Sequence, residues 1–156
     1  MPRKGPAPRR PVTPDAKYND ILISRVVNKL MWGGKKTTAE AIMYGAIDIL
    51  VEKNGGEAKD LVAQVVEAIK PQVEVKSRRV GGATYQVPIE ITARRQLSLA
   101  VRWLVEFARK RSEHTMVERL GYEMVDVLSE RGGAMKKRDE THRMAEANKA
   151  FSHYRW

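Results

Sequence analysis

The residues able to do chemistry in this sequence are its cations, and the chemistry is phosphate recognition. Arg95, Arg102 and Arg109 recur every seven residues, a spacing that puts them in one stripe if the segment is helical. Arg25 and Lys29 stand four apart and share a helical face with Asn28 and Trp32. Lys35 and Lys36 follow a Gly-Gly pair, Lys76, Arg78 and Arg79 cluster in an alternating stretch, and Lys136 and Lys137 precede Arg138. Arginine presents a planar fork of donors that matches phosphate bidentately and stacks on bases, and lysine adds a point charge. The chain carries 29 Lys and Arg against 19 Asp and Glu, a formal charge of +10. Such an excess calls for a polyanionic partner, nucleic acid before an anionic membrane.

Other chemistries are excluded by what is missing. Zero cysteines remove disulfides, thiolate metal sites and thiol catalysis. His114, His142 and His153 fall on separate segments with no pairing that makes a zinc site or a base and nucleophile. The glycine pairs lack the nucleotide-loop arrangement, and the carboxylates are scattered among lysines as in surface ion pairs. No catalytic, metal or cofactor site is expected. No run approaches the ~20 apolar residues of a membrane span, so a cytoplasmic protein is expected.

Most of the elements that must position these cations read as helices. From Asp20, apolar Ile23, Val26, Val27 and Leu30 share one face, and Gly33-Gly34 stops the helix. Thr37 with Glu40 reads as a capping box opening a second helix, ended by Asn54-Gly55-Gly56. A third, about 58–70, places Leu61, Val62, Val65, Val66 and Ile69 inside, and Pro71 closes it. Thr92 is the expected N-cap of a long helix to about Arg111, and Thr115 with Glu118 forms a second capping box. A last helix is expected over about 134–151, where Lys136 and Lys137 in the first turn oppose the helix dipole.

Residues 71–92 are the exception, with alternation at period two on either side of Gly81-Gly82. Symmetric pairing about that turn sets Val73 opposite Ile91, Val75 opposite Ile89, Ser77 opposite Val87 and Arg79 opposite Tyr85. Lys76, Arg78 and Gln86 then share the other face. A lone hairpin is marginal in water, so its apolar base must pack on helices while its tip projects. Residues 1–17 carry five prolines with Arg3, Lys4, Arg9, Arg10 and Lys17, the composition of a basic arm without its own fold or of a solubilising tail. The closing His153-Tyr154-Arg155-Trp156 interleaves aromatic and basic side chains, which suits stacking on bases and equally suits docking on the core.

Several of these stretches resemble one family, bacterial small-subunit ribosomal protein seven. Asp20-x-Leu22, Val26-Val27, Gly34-Lys35-Lys36, Ile42-Met43 and Ala46 follow its signature spacing, and Lys76-Ser77-Arg78-Arg79-Val80-Gly81-Gly82-Ala83-Thr84-Tyr85-Gln86-Val87-Pro88 resembles its arm almost residue for residue. Met144-Ala145-Glu146-Ala147-Asn148-Lys149-Ala150 and the terminal aromatic residues are similar too, so the likeness spans nearly the whole chain. Thr84, where asparagine is expected, and the proline-rich arm are its departures.

The resemblance implies a mainly α fold: a six-helix bundle with one protruding two-stranded antiparallel β-ribbon between the third and fourth helices. Residues 1–17 would be a flexible arm, and 18–156 a single domain including the ribbon at 72–91. It further implies a structural component of the 30S subunit head that binds the 3′ major domain of 16S ribosomal RNA and nucleates head assembly. Proteins nine and eleven of the subunit would be its neighbours, and in some members its own operon's messenger is a further ligand. Carried onto this chain, the ribosomal RNA surface comprises Arg3, Lys4, Arg9, Arg10, Arg25, Lys29, Lys35, Lys36, Lys76, Arg94, Arg95, Arg102, Arg109, Lys136 and Lys137. Arg78, Arg79, Gly81, Gly82, Tyr85, Tyr154, Arg155 and Trp156 would face exit-site transfer RNA and the messenger path. Two other readings of the residues stand beside it: a duplex-bending architectural DNA-binding protein, and an interaction scaffold whose ribbon augments a partner's sheet.

Overall fold

The computed structural model describes Gly5 and residues 10–154, with the backbone alone at Tyr154. Arg3, Lys4, Arg9, Arg155 and Trp156 of the expected sites lie outside the described residues. The elements run α1 (Ile21–Leu30), α2 (Lys36–Asn54), α3 (Ala58–Ile69), β1 (Val73–Val80), β2 (Ala83–Glu90), α4 (Ala93–Lys110), α5 (Met116–Leu128) and α6 (Gly133–Ala147). A short 3₁₀-helix, Lys149–Tyr154, follows. This is the six-helix, one-ribbon architecture that the residue pattern and the resemblance imply.

α1 opens where Asp20 Oδ1 accepts from the Ile23 amide at 2.9 Å, and it buries Ile23, Val26, Val27 and Leu30. α4 is the central helix: Leu99, Ala100, Val101, Trp103, Leu104, Val105 and Ala108 are buried, and α1, α3, α5 and α6 all pack on it. α2 and α5 cross closely because both carry glycine at the contact. A Cβ on Gly45 would lie 2.8 Å from Val117 Cγ1, and one on Gly121 3.1 Å from Ile49. Upstream of α1 the chain is anchored at Asp15, inside the proline-rich segment. Its buried carboxylate accepts from the amides of Lys17 and Tyr18, each at 3.0 Å, and from the Tyr44 hydroxyl at 2.9 Å. Burial, then the Asp15 hydrogen bond, push the Tyr44 phenol up to about 12.

Three expectations are corrected. The capping box at Thr115 and Glu118 is present, but the one at Thr37 is not: α2 starts at Lys36, and Glu40 pairs with Lys36 at 3.1 Å. The last helix stops at Ala147, and residues up to Tyr154 wind on as 3₁₀ turns. The ribbon register is one residue off the symmetric expectation. Gly81 and Gly82, with φ of 57° and 90°, form a two-residue turn that pairs Val80 with Ala83. Hence Lys76 opposes Val87, Arg78 opposes Tyr85, and Ser77 meets Gln86, whose Nε2 donates to Ser77 Oγ at 2.9 Å. A slip of one residue exchanges cross-strand partners all along a ribbon.

The ribbon is braced at its root and again toward its tip. Val87 is fully buried, Tyr85 packs on Phe151 of the 3₁₀-helix with ring centroids 5.1 Å apart, and α6 packs on β1. The Gln72 amide donates to His142 Nε2 at 3.1 Å, and Arg138 Nη1 donates to the Ala68 carbonyl at 2.6 Å.

Candidate nucleic-acid interface

α1 and α4 lie side by side with their polar edges outward, and a groove of about 370 Å³ runs between them. It is lined by Val12, Arg25, Asn28, Lys29, Arg94, Leu97, Ser98, Val101 and Arg102. The helical repeat explains the gathering: Arg25 and Lys29 are four apart on α1, and Arg94, Ser98 and Arg102 are four apart on α4. Four cations meet there, and no carboxylate lines the groove among the described residues. Among the described residues none of the four makes an ion pair, and the buried Arg25 Nε has no hydrogen-bond partner. A desolvated donor left unmatched costs on the order of 1–3 kcal/mol. The larger depression between the ribbon root and α6, about 430 Å³, mixes Glu90 and Glu146 with Lys149 and His142 and has no such bias.

The seven-residue arginine stripe is divided in three dimensions. Only Arg102 enters the groove. Arg95 is held by Glu74 of β1, its Nη2 at 3.1 Å, and Glu74 also faces Lys76 at 3.6 Å. Arg109 Nη2 donates to the Leu30 carbonyl at 3.1 Å, and its guanidinium lies 5.2 Å from the Trp32 ring centroid. Lys35, Lys36 and Lys136 are exposed; Lys36 pairs with Glu40, and Lys137 with Glu140 at 2.8 Å. Exposed pairs of this kind contribute about 0–1 kcal/mol, so phosphate can replace the carboxylate readily. Arg10 is exposed, and so at the ribbon tip are Arg79, Gly81 and Gly82, while Arg78 and Tyr85 are half-buried and engaged within the fold.

A second arginine cluster went unread in the sequence. Arg111, just past α4, donates to Glu113 Oε1 at 2.8 Å, Glu123 Oε2 at 3.0 Å and Asp126 Oδ2 at 2.7 Å. The other oxygen of buried Glu123 accepts from the Ala134 amide at 2.9 Å, so a carboxylate caps α6 and offsets the cations in its first turn. These bonds, that to Glu113 foremost, raise the Arg111 pKa, and Arg111 in turn holds the Glu113 carboxyl below its ordinary 4.5. The signal was Glu123 itself, a charge on the buried face of α5 between Leu120, Met124 and Val127. Among the described residues no cluster of His, Asp and Glu is arranged to hold a metal, and no helix is long and apolar enough to cross a membrane.

Known proteins match this chain along its length. The family model described as ribosomal protein S7p/S5e covers residues 2–149. The small ribosomal subunit protein uS7 of Lawsonia intracellularis is 58% identical over 156 residues, covering 100% of both chains. That of Oleidesulfovibrio alaskensis is likewise 58% identical over 156 residues with full coverage of both. The Nautilia profundicola protein of the same name is 57% identical over 154 residues, 99% of each chain. With its helices, ribbon and cationic groove in place and its whole length matched, the chain belongs to the ribosomal protein S7p/S5e family.

Proposed function

We propose that this chain, a structural protein of the small ribosomal subunit and not an enzyme, binds the 3′ major domain of 16S ribosomal RNA through the α1–α4 groove. In this reading it nucleates assembly of the subunit head beside proteins nine and eleven. The ribbon tip with Arg79, Gly81 and Gly82 then reaches toward exit-site transfer RNA and the messenger path. The observation that carries the reading is the groove: four cations on two helices, with no carboxylate lining it among the described residues. Folded RNA is recognised by shape, phosphates and unstacked bases, and separate basic surfaces on several helices suit a multi-helix junction. The ribbon supports RNA over duplex bending, because no apolar wedge sits at Gly81-Gly82 and Pro88 lies well below the tip.

A salt-dependent titration tests it, with the 3′ major domain fragment, a scrambled RNA of equal length and duplex DNA as ligands. The expected result is preference for the ribosomal fragment at physiological salt. Four phosphates in the groove contribute roughly 3 to 4 to the steepness of log K against log salt. Equal affinity and equal slope for all three ligands would overturn the proposal.

A further inference from the structure

Trp32 has no part in the groove, yet it is 77% exposed, well beyond the other exposed large hydrophobic residues Ile21 at 49% and Met144 at 41%. It is held still. The Lys35 amide donates to the Trp32 carbonyl at 3.1 Å, closing a tight turn through Gly33 and Gly34, whose φ values are 58° and 77°. On one side lies the Arg109 guanidinium, 5.2 Å from the ring centroid and itself tied to the Leu30 carbonyl. With Arg109 on one face, so high an exposure leaves the rest of the indole in solvent. Nothing lies within 4 Å of where side chains on Gly33 or Gly34 would begin, so the turn beside Trp32 is uncrowded. Lys29, Lys35 and Lys36 flank it in the chain, and the one carboxylate paired among them is Glu40, on Lys36.

We propose that Trp32, backed by Arg109, is a stacking platform for an unpaired base of the bound RNA. The inference rests on the RNA-binding reading above and adds a site to it. An apolar ring with a guanidinium against it and lysines close by in the chain complements a ligand that brings a flat aromatic surface and phosphates together, which is the chemistry of a nucleotide and not of an apolar protein surface. The glycine turn admits a base edge-on, and the Leu30 carbonyl keeps the guanidinium from swinging away from its ring. Stacking also accounts for the placement of Arg109: a cation pinned by backbone and ring is arranged as a support, whereas Arg102 is left to meet phosphate in the groove.

The test uses the full chain and the 3′ major domain RNA fragment. Subtracting the tryptophan emission of Trp32→Phe from that of the native chain isolates the Trp32 signal without touching Trp103 or Trp156. RNA is expected to quench that difference signal. Trp32→Ala is expected to weaken binding roughly tenfold with an unchanged salt slope and unchanged melting temperature, and Trp32→Tyr to restore most of the affinity. Unchanged affinity in Trp32→Ala, or a loss accompanied by a shallower salt slope, overturns the platform. So does a difference signal that RNA leaves untouched and that responds only when neighbouring subunit proteins are added. Equal binding of native chain to scrambled RNA overturns the underlying reading instead, and quenching of the difference signal by that scrambled RNA still decides whether bases stack on Trp32.

Discussion

Arg102 and Arg111 stand nine residues apart, yet one faces open solvent in a groove free of carboxylates and the other is wrapped by three of them. The difference lies in what the backbone brings alongside. At the α1–α4 edge the neighbours are Arg25, Asn28, Lys29, Arg94 and Ser98, and among the described residues nothing negative lines the groove. Where α4 ends, the turn to α5 returns Glu113, Glu123 and Asp126 to a single guanidinium, and that cluster joins α4, α5 and the start of α6. The same side chain is thus a structural pin at one end of a helix and a recognition element along its side. A count of arginines cannot separate the two roles, whereas the positions of carboxylates do.

Breaking the pin should have the largest effect. Arg111→Ala strands Glu123, whose side chain is 1% exposed, and a buried pair broken on one side costs about 3–5 kcal/mol, measured as a lowered denaturation midpoint. The same cluster sets an acid limit. Glu113 has its pKa depressed by the Arg111 hydrogen bond, so its contribution is complete above the ordinary 4.5 and is lost as pH falls below it. Acid unfolding monitored by circular dichroism should therefore begin at higher pH in Glu113→Gln, in which that contribution is already absent.

The groove should show the opposite phenotype. Arg25→Ala with Arg102→Ala is expected to reduce RNA affinity about 10- to 100-fold and to lower the salt slope by roughly 1.4 to 1.8, while stability falls by no more than about 0.5 kcal/mol, because the unmatched Arg25 donor is removed with its side chain. A loss of stability comparable to that of Arg111→Ala would erase the contrast. Gly133→Ala sharpens it from the packing side: the new methyl would lie 2.4 Å from Phe107 Cδ1, and overpacking should cost about 1–3 kcal/mol in thermal melts without altering the salt slope. Smallest is Thr115→Ala, which removes the α5 cap bond to the Glu118 amide and should cost about 1 kcal/mol.

The residues explain how much of this was legible. The inner face of α1, the cap at Thr115 and Glu118, and the Gly81-Gly82 turn are local signals, and each element forms where its signal lies. The ribbon register was misplaced because apolar alternation fits either of two adjacent pairings, and only the two-residue turn decides between them. Thr37 and Glu40 have the spacing of a capping box, but Glu40 lies one turn from Lys36 and pairs with it instead. The meeting of α1 with α4 joins residues about seventy apart, which no local pattern encodes, so Arg25 and Arg102 were legible as cations but not as neighbours. Division of the arginine stripe depends on Glu74 and the Leu30 carbonyl, both supplied by other elements.

The brace at the ribbon root has a consequence for the order in which the chain is made. Both bonds that tie this corner to α6, Arg138 to Ala68 and Gln72 to His142, span 70 residues. At a synthesis rate of about 5–20 residues per second, the clamp arrives roughly 4 to 14 seconds after the residues it secures. During that interval the Ala68 carbonyl and the Gln72 amide lack these partners, and β1 and β2 have no α6 to pack on. A two-stranded ribbon is marginal without a packed face, so the ribbon's support is complete only once α6 has been made.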